Sequence, residues 1–263
     1  MRRDITLQAF RPGYLWTALL VATVATTQSE WKISSTGSEP GSAGIEHRHV
    51  VVENAAGHQR ADLDLAIFSP QSCTLRVIDN PEGENISVTM KRGRCACGVN
   101  GGYFDQDFQP IGLRIADNRT FSPLRRARLI TGILLQSNRG VEIVRVGEFS
   151  HAKKIGAAIQ CGPFLVEGSK HVHGLNDSQS ARRTFAAIAS NGRALLGLCS
   201  TVSLAELANI LTTASVTDGY KIRQAVNLDG GSSSAFWFAR ENGSAFSIPG
   251  RKPVRDFLGV TPK

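Results

Sequence analysis

The sequence predicts an α+β fold: mixed or antiparallel twisted sheets with a few packed helices, in a single domain. Three observations carry this. Short apolar segments recur between Gly, Pro, Asn and Ser turns, the pattern of successive strands. The stretch from Ser203 has the signature of a capped amphipathic helix. Two Gly-Gly turns, at Gly101-Gly102 and Gly230-Gly231, each interrupt an apolar run.

Taken in order, the chain opens with Arg2, Arg3 and Arg11 ahead of the apolar stretch 14–25. That stretch is short for a membrane span and ends in small residues, so residues 1–26 are expected to be an export signal or an N-terminal anchor. The segment is the one part of the chain suited to hold the protein at a membrane. Residues 27–44 are Ser-, Thr- and Gly-rich and read as a flexible linker. The folded domain is expected over 45–263. Segments 49–53, 63–68 and 75–78 predict an antiparallel meander, and 111–115 a further strand. Segments 129–135 and 141–146 predict a hairpin across Ser137-Asn138-Arg139-Gly140. A run over 160–166 is broken by Gly162-Pro163, and 184–189 and 194–199 flank the turn pair Asn191-Gly192. In the helix, the Ser203 hydroxyl can accept from the N–H of position 206 while Glu206 reaches back. Leu204, Leu207, Ala208 and Leu211 then share one face, and the helix is expected to stop near Thr213.

The composition suits a packed core: 41% apolar and 20% charged residues in a chain of 263. Thirty Lys and Arg against 22 Asp and Glu give a formal charge of +8, which favours an anionic partner. Apart from Arg125-Arg126-Ala127-Arg128 and Arg182-Arg183 the cations are scattered, and no nucleic-acid module is recognisable, so nucleic acid is not expected as a partner. The cysteine count is five. Cys95 and Cys97 are too close together for a zinc knuckle, and no His cluster completes a metal site. A bridge from Cys73 to Cys95 or Cys97 is expected, between neighbouring strands. No cofactor is called for, although a divalent ion on a phosphate would be compatible with these residues.

The second Gly-Gly turn, Asn227-Leu228-Asp229-Gly230-Gly231-Ser232-Ser233-Ser234, gathers a carboxylate and three hydroxyls on a backbone that a ligand can approach closely. It suits a polar or anionic small molecule. The bland alternative is a hairpin turn, for which Asp-Gly is the commonest signal.

Five motifs occur in order: Asn-Gly-Gly-Tyr-Phe at 100–104, Gly-Pro-Phe-Leu-Val at 162–166, Arg183-Thr184, Ser-Leu-Ala-Glu-Leu-Ala at 203–208, and Asn-Leu-Asp-Gly-Gly at 227–231. Together they resemble the phosphodiester glycosidase family over roughly residues 95 to 260. The sequence departs from the family pattern at Ser232 and Ala187, where the family has glycine. The resemblance implies an exported hydrolase cutting the sugar C1–O bond of a glycosyl-1-phosphodiester of the N-acetylglucosamine type. Its partner would be a small or polymeric sugar phosphodiester. The alternative is a non-catalytic phosphoglycan-binding module on the same fold. A phosphodiesterase cutting P–O bonds would instead want a metal cluster.

The chemistry asks little of an acid. A phosphate monoester has a second pKa of about 6 and departs as an anion, so a strong general acid is not required. The site must hold phosphate, stabilise an oxocarbenium-like sugar and aim a water. The expected catalytic residues are Asp229, facing the sugar as base, nucleophile or stabiliser; Arg183, as a bidentate phosphate clamp; and Asn227. Expected substrate contacts are Asn100, Gly101, Gly102, Tyr103, Thr184, Gly230, Gly231 and Ser232, with the four glycines opening an anion nest. Tyr103 or Phe104 could stack on a sugar. Ser233 is a further phosphate contact, whereas Asp105, Asp107, His171 and His173 fit a solvated loop better. Arg182 is expected on the surface.

Overall fold

The computed structural model describes residues 31–263 apart from 55, 57 and 151–153. The expected export segment, 1–26, and the first linker residues lie outside the described residues. Strands β1 (Trp31–Pro40), β2 (Glu46–Asn54), β3 (Gln59–Phe68) and β4 (Cys73–Asp79) lead to helix α1 (Ile86–Arg92). Next come β5 (Cys97–Asn100), β6 (Arg114–Ala116), β7 (Arg119–Ser122), β8 (Gly132–Ser137), β9 (Gly140–Arg145) and β10 (Ile155–Cys161). They are followed by β11 (Phe164–Glu167), β12 (Lys170–His171), β13 (Ala181–Ala189), β14 (Ala194–Val202) and helix α2 (Leu204–Thr213). The chain ends with β15 (Ile222–Asn227), β16 (Phe236–Ala239), β17 (Ala245–Ile248) and β18 (Asp256–Pro262).

Three sheets result. The largest runs β1-β2-β3-β14-β13-β15-β11-β12, the second β7-β6-β10-β8-β9, and the third β17-β16-β5-β18-β4. Each named strand pair is antiparallel. The antiparallel sheets with packed helices are as expected, but the architecture is nearly all sheet, which corrects the α+β class. The helices cover outer faces and do not form a layer of their own. Phe68, Leu134, Phe164, Leu196, Phe236 and Leu258, drawn from all three sheets, meet in one core. On the far face of the large sheet α2 packs Leu207, Ile210 and Leu211 among residues that include Leu65, Phe185 and Leu195. Its cap forms as expected: Ser203 Oγ accepts from Glu206 N at 3.1 Å, and Glu206 Oε2 accepts from Ser203 N at 2.7 Å. Such a cap is worth about 1 kcal/mol. Helix α1 was not expected. Asn85 caps it by accepting from Val88 N, and Ile86 and Met90, four apart, seat it on Trp237 and Phe257 of the third sheet.

Residues 31–40, expected within a linker, form a ten-residue edge strand. Its exposed Ser, Thr and Gly residues need only backbone pairing with β2, and its ends are pinned. Trp31 is buried with the α2 cluster, which removes at most about 5 kcal/mol worth of apolar surface from water. Glu39 bonds His47 at 2.7 Å and Arg240 at 2.7 Å. The expected opening meander holds for β2 and β3 only. Strand β4 leaves that sheet and pairs with β18. The hairpins β8–β9 and β13–β14 form at the predicted turns.

The expected Cys73 bridge is not made, and all five cysteines are free and buried. Strand β18 lies between β4 and β5, so Cys73 and Cys97 are two strands apart, about 10 Å and beyond disulfide reach. Cys95 belongs to the core under α1, on the other face.

Candidate functional site

The first Gly-Gly turn follows β5 and is filled by the protein itself. Arg114 and Asp256 are both fully buried, with Arg114 Nε donating to Asp256 Oδ2 at 2.8 Å. Gly101 N donates to the Asp256 carbonyl at 2.9 Å and Gly102 N to Asp256 Oδ1 at 2.8 Å. A Cβ on Gly101 would stand 1.8 Å from Asp256 Oδ1, and one on Gly102 2.1 Å from Arg114 Nη2. These glycines admit an internal ion pair. The expected ligand nest at Gly101 and Gly102 is corrected accordingly: a carboxylate of this chain already occupies it.

The second turn leaves β15 and crosses to β16 in another sheet, which rules out the hairpin reading. It rests on the first turn, Asp229 N donating to the Gly101 carbonyl at 3.2 Å. Asn100, fully buried, ties the assembly together. Its Nδ2 donates to the Asp229 carbonyl at 2.7 Å, and its Oδ1 accepts from Thr184 Oγ1 at 2.7 Å and Ala235 N at 3.0 Å. Asn100 and Thr184, expected to touch substrate, instead lie beneath the turn and hold its shape. Above them Gly231 has φ +64°, a left-handed conformation that favours glycine. Ser232 is exposed and does not share it, so the missing third glycine leaves the turn unstrained.

Asp229 stands at the centre. Burial above all raises its carboxyl pKa, and the nearby Asp256 charge adds to this, while Ser233, Lys252 and the Gly230 backbone offset part. Ser233 Oγ is near enough to steady the carboxylate but has no partner in hydrogen-bond geometry. Beside Gly230 lies the half-buried Arg183, whose Nη1 would be 3.9 Å from a Cβ placed there. Its Nε donates to the Val202 carbonyl at 2.9 Å and its Nη2 to the Gln179 carbonyl. Among the described residues no carboxylate pairs with it, and desolvation lowers its pKa. Two backbone carbonyls thus fix the guanidinium beside the turn.

Tyr103 and Asn227 lie close by, with Tyr103 near enough to feel both Asp229 and Arg183. Tyr103 Oη donates to the Gly162 carbonyl at 2.8 Å and accepts from Asn227 Nδ2 at 2.8 Å. Burial, then the Asp229 charge, raises the phenol pKa well above its ordinary value, so Tyr103 stays neutral. Asn227 also donates to the Leu228 carbonyl at 2.6 Å. Its amide nitrogen is spent, and its Oδ1 is buried without a hydrogen-bond partner. Phe104 packs by the α1 core and carries Lys252 Nζ 4.8 Å from its ring centre.

Two further cations, Lys252 and Arg251, carry no signal in the sequence beyond their own charge, and a third, Arg182, lies deeper than expected. Lys252 and Arg251 line a cavity of about 240 Å³ beside Ser233. Arg182, expected on the surface, is half-buried with Nη2 donating to the Ser234 carbonyl at 2.7 Å, and its Nε is buried without a partner. The signal for the first two was the cation-rich run Pro249-Gly250-Arg251-Lys252-Pro253, which carries no motif of its own. Asp105 accepts from Asp107 N and Gln109 N in a local turn, and Asp107 is exposed. His171 and His173 contact each other at 4.9 Å within the polar loop. Among the described residues no group of three or more His, Cys, Asp or Glu is placed to hold a metal ion.

Several solved structures share this fold. The catalytic domain of zebrafish N-acetylglucosamine-1-phosphodiester alpha-N-acetylglucosaminidase, auto-inhibited by pro-peptide, superposes with TM-score 0.64 at 16% identity over 89% of each chain. A hypothetical protein from Synechocystis gives 0.59 at 15% identity, over 89% of this chain and 68% of that one. A putative exported protein from Burkholderia pseudomallei gives 0.51 at 14%, over 78% and 75%. Compared by sequence with curated proteins, the chain finds no match. The model of the family described as Phosphodiester glycosidase matches residues 93–261, which include both Gly-Gly turns, Arg183 and the partly desolvated Asp229. The chain belongs to the phosphodiester glycosidase family and is a glycosidase of the hydrolase class.

Proposed function

We propose that the protein is an exported hydrolase that cleaves the C1–O bond of a glycosyl-1-phosphodiester of the N-acetylglucosamine type, releasing a phosphate monoester. The observation that carries this is a desolvated carboxylate, Asp229, next in the chain to Gly230, beside which lies a guanidinium, Arg183, that has no carboxylate partner among the described residues. Arg183 holds the phosphate through two N–H groups, and Lys252 adds positive charge near Asp229. The leaving phosphate needs no strong acid. Asp229 stabilises the developing positive charge at C1, or attacks or directs water there. Tyr103 and Asn227, bonded to each other, hold the structure next to it. The activity named for the zebrafish protein supports the substrate class. The basic, then apolar, N-terminal segment supports export.

The test is hydrolysis of α- and β-linked sugar-1-phosphodiesters by wild type, Asp229→Asn and Arg183→Ala, with and without chelator. Release of free sugar is expected, with kcat reduced about 10²–10³-fold in Asp229→Asn. Arg183→Ala should lose most of its activity through weaker phosphate binding. Phosphoglycan binding without turnover in the wild type would replace the hydrolase with a binding module.

A further inference from the structure

Near one edge of the large sheet an imidazole is buried between two carboxylates, and the strand register puts it there. Glu39 of β1 stands opposite His47 of β2. Asp64 of β3 stands opposite His49, two residues along β2 and so on the same face. His47 and Asp64 are buried and Glu39 is half-buried. His47 Nδ1 lies 2.7 Å from Glu39 Oε1, and its Nε2 lies 2.9 Å from Asp64 Oδ1.

An ionised carboxylate only accepts, and a neutral imidazole carries one N–H. A neutral His47 would therefore turn a bare nitrogen lone pair toward one of its two carboxylates. The imidazolium satisfies both. Burial pulls the His47 pKa down, but the hydrogen bonds and charges of Asp64 and Glu39 outweigh it, and the pKa stands above the ordinary 6.5. Arg240, which follows β16, donates from Nε to Glu39 Oε2 at 2.7 Å and holds that carboxyl below its ordinary value, so Glu39 stays ionised.

The other charged groups around the ring have partners of their own. His49 Nδ1 lies 3.0 Å from Asp64 Oδ1, and its Nε2 lies 3.9 Å from Asp62. Glu46 and Arg48 alternate to the other face of β2, 3.8 Å apart, and approach Arg193 and Asp218. The third sheet lays aromatic rings against His47: Phe246 at 4.7 Å, Phe238 at 5.2 Å and Phe236 at 5.3 Å between ring centres. Aromatic faces favour a cation over a neutral ring.

Strand β1 depends on this cluster. It is an edge strand with β2 as its one neighbour in the sheet, and residues 34–38 are exposed. Trp31 anchors its start, and Glu39 anchors its end.

We propose that Glu39, His47 and Asp64 form a proton-operated latch, which fastens the end of β1 to the sheet while His47 is charged and loosens it when His47 is neutral. Because the folded chain holds this proton more tightly than the unfolded chain, the stabilisation is complete below 6.5 and is lost as pH rises through the raised value. Above that window one of the two carboxylates faces the ring with no proton between them.

Amide hydrogen exchange would be followed in the full chain at about pH 5.5 and about pH 9, each rate divided by its intrinsic rate at that pH. Strand β9, the edge of the second sheet, serves as the reference. From the lower to the higher pH the wild type is expected to lose about tenfold more protection in β1 than in β9, the difference between a hydrogen bond to a charged group and one to a neutral group. His47→Gln and Glu39→Gln should each abolish that difference, while His49→Gln should keep it. An equal change in β1 and β9 of the wild type would overturn the latch. So would a pH dependence that survives Glu39→Gln, or one that disappears in His49→Gln. Should His47→Gln fail to fold, Glu39→Gln decides alone, since it changes a half-buried side chain and leaves His47 in place.

Discussion

The two Gly-Gly turns look alike in the sequence and do opposite work in the fold. At Gly101-Gly102 the polar groups are spent on each other: Asp256 takes Arg114, Gly102 N–H and, through its carbonyl, Gly101 N–H. The remaining Arg114 nitrogens donate to the carbonyls of Leu113, Gln160 and Tyr103. At Gly230-Gly231 the reverse holds. Asn227 Oδ1, Ser233 Oγ and Ser234 Oγ are buried without a hydrogen-bond partner, as is Arg182 Nε beside the turn, and among the described residues Arg183 has no carboxylate partner. Buried polar atoms are ordinarily satisfied, so this turn is less completely bonded within the chain than the first. The first turn is a closed floor; the second is where we place the site.

The largest way to break this contrast is at the floor. Asp256→Ala strands a buried guanidinium and an N–H, and the loss of unfolding free energy is expected to be about 3–5 kcal/mol, measured by urea denaturation. The pair Arg114→Met with Asp256→Leu should recover much of that stability, since apolar replacements of buried ion pairs are commonly tolerated. Activity should not recover with it, because Gly102 and the Tyr103 carbonyl lose their anchors. A single variant that melts like the wild type would show that the floor is not a closed network.

A smaller effect probes the link between the turns. Thr184→Val keeps the shape and removes the bond to Asn100 Oδ1, for an expected cost of about 1 kcal/mol. Because Asn100 carries the Asp229 carbonyl, kcat should fall several-fold while KM changes little, and Thr184→Ser should restore both. An unchanged kcat would separate floor from site.

How much of this was legible follows from distance along the chain. The hairpins β8–β9 and β13–β14 and the Ser203 cap depend on residues within a few positions of one another, and local turn and capping chemistry states them openly. Strand β4 was placed correctly but given the wrong neighbour, since its partner β18 lies near the other terminus and strand pairing leaves no local mark. Strand β1 hid because an edge strand tolerates linker-like composition, and α1 because seven residues hold too few turns to show a period. At the site, Asp229 and Arg183 were visible through their motifs. That Gly101 and Gly102 serve an internal carboxylate was not, because Asp256 is more than 150 residues away. Lys252 was missed for the same reason, its neighbours Asp229 and Phe104 being distant in the chain, and Arg182 was expected on the surface because its bond to the Ser234 carbonyl leaves no local mark.

The smallest effect carries the opposite sign and bears on the site itself. Burial holds the Asp229 pKa above its ordinary 3.8, so the folded chain binds that proton more tightly than the unfolded chain. As pH rises from 3.8 through the raised value, the folded state has more proton to lose, and stability falls. Above that window the ionised carboxylate is a standing cost to the fold; below it there is none. Asparagine has the same outline and never ionises. Asp229→Asn should therefore melt slightly above the wild type at about pH 7 and level with it at about pH 3, in paired thermal scans, even as turnover collapses. Asp256→Asn should show the contrary, destabilising at about pH 7, because Asp256 is where Arg114 discharges. If Asp229→Asn instead lowered the melting temperature at neutral pH, the ionised carboxylate would be a satisfied member of the fold, and the two turns would be of one kind after all.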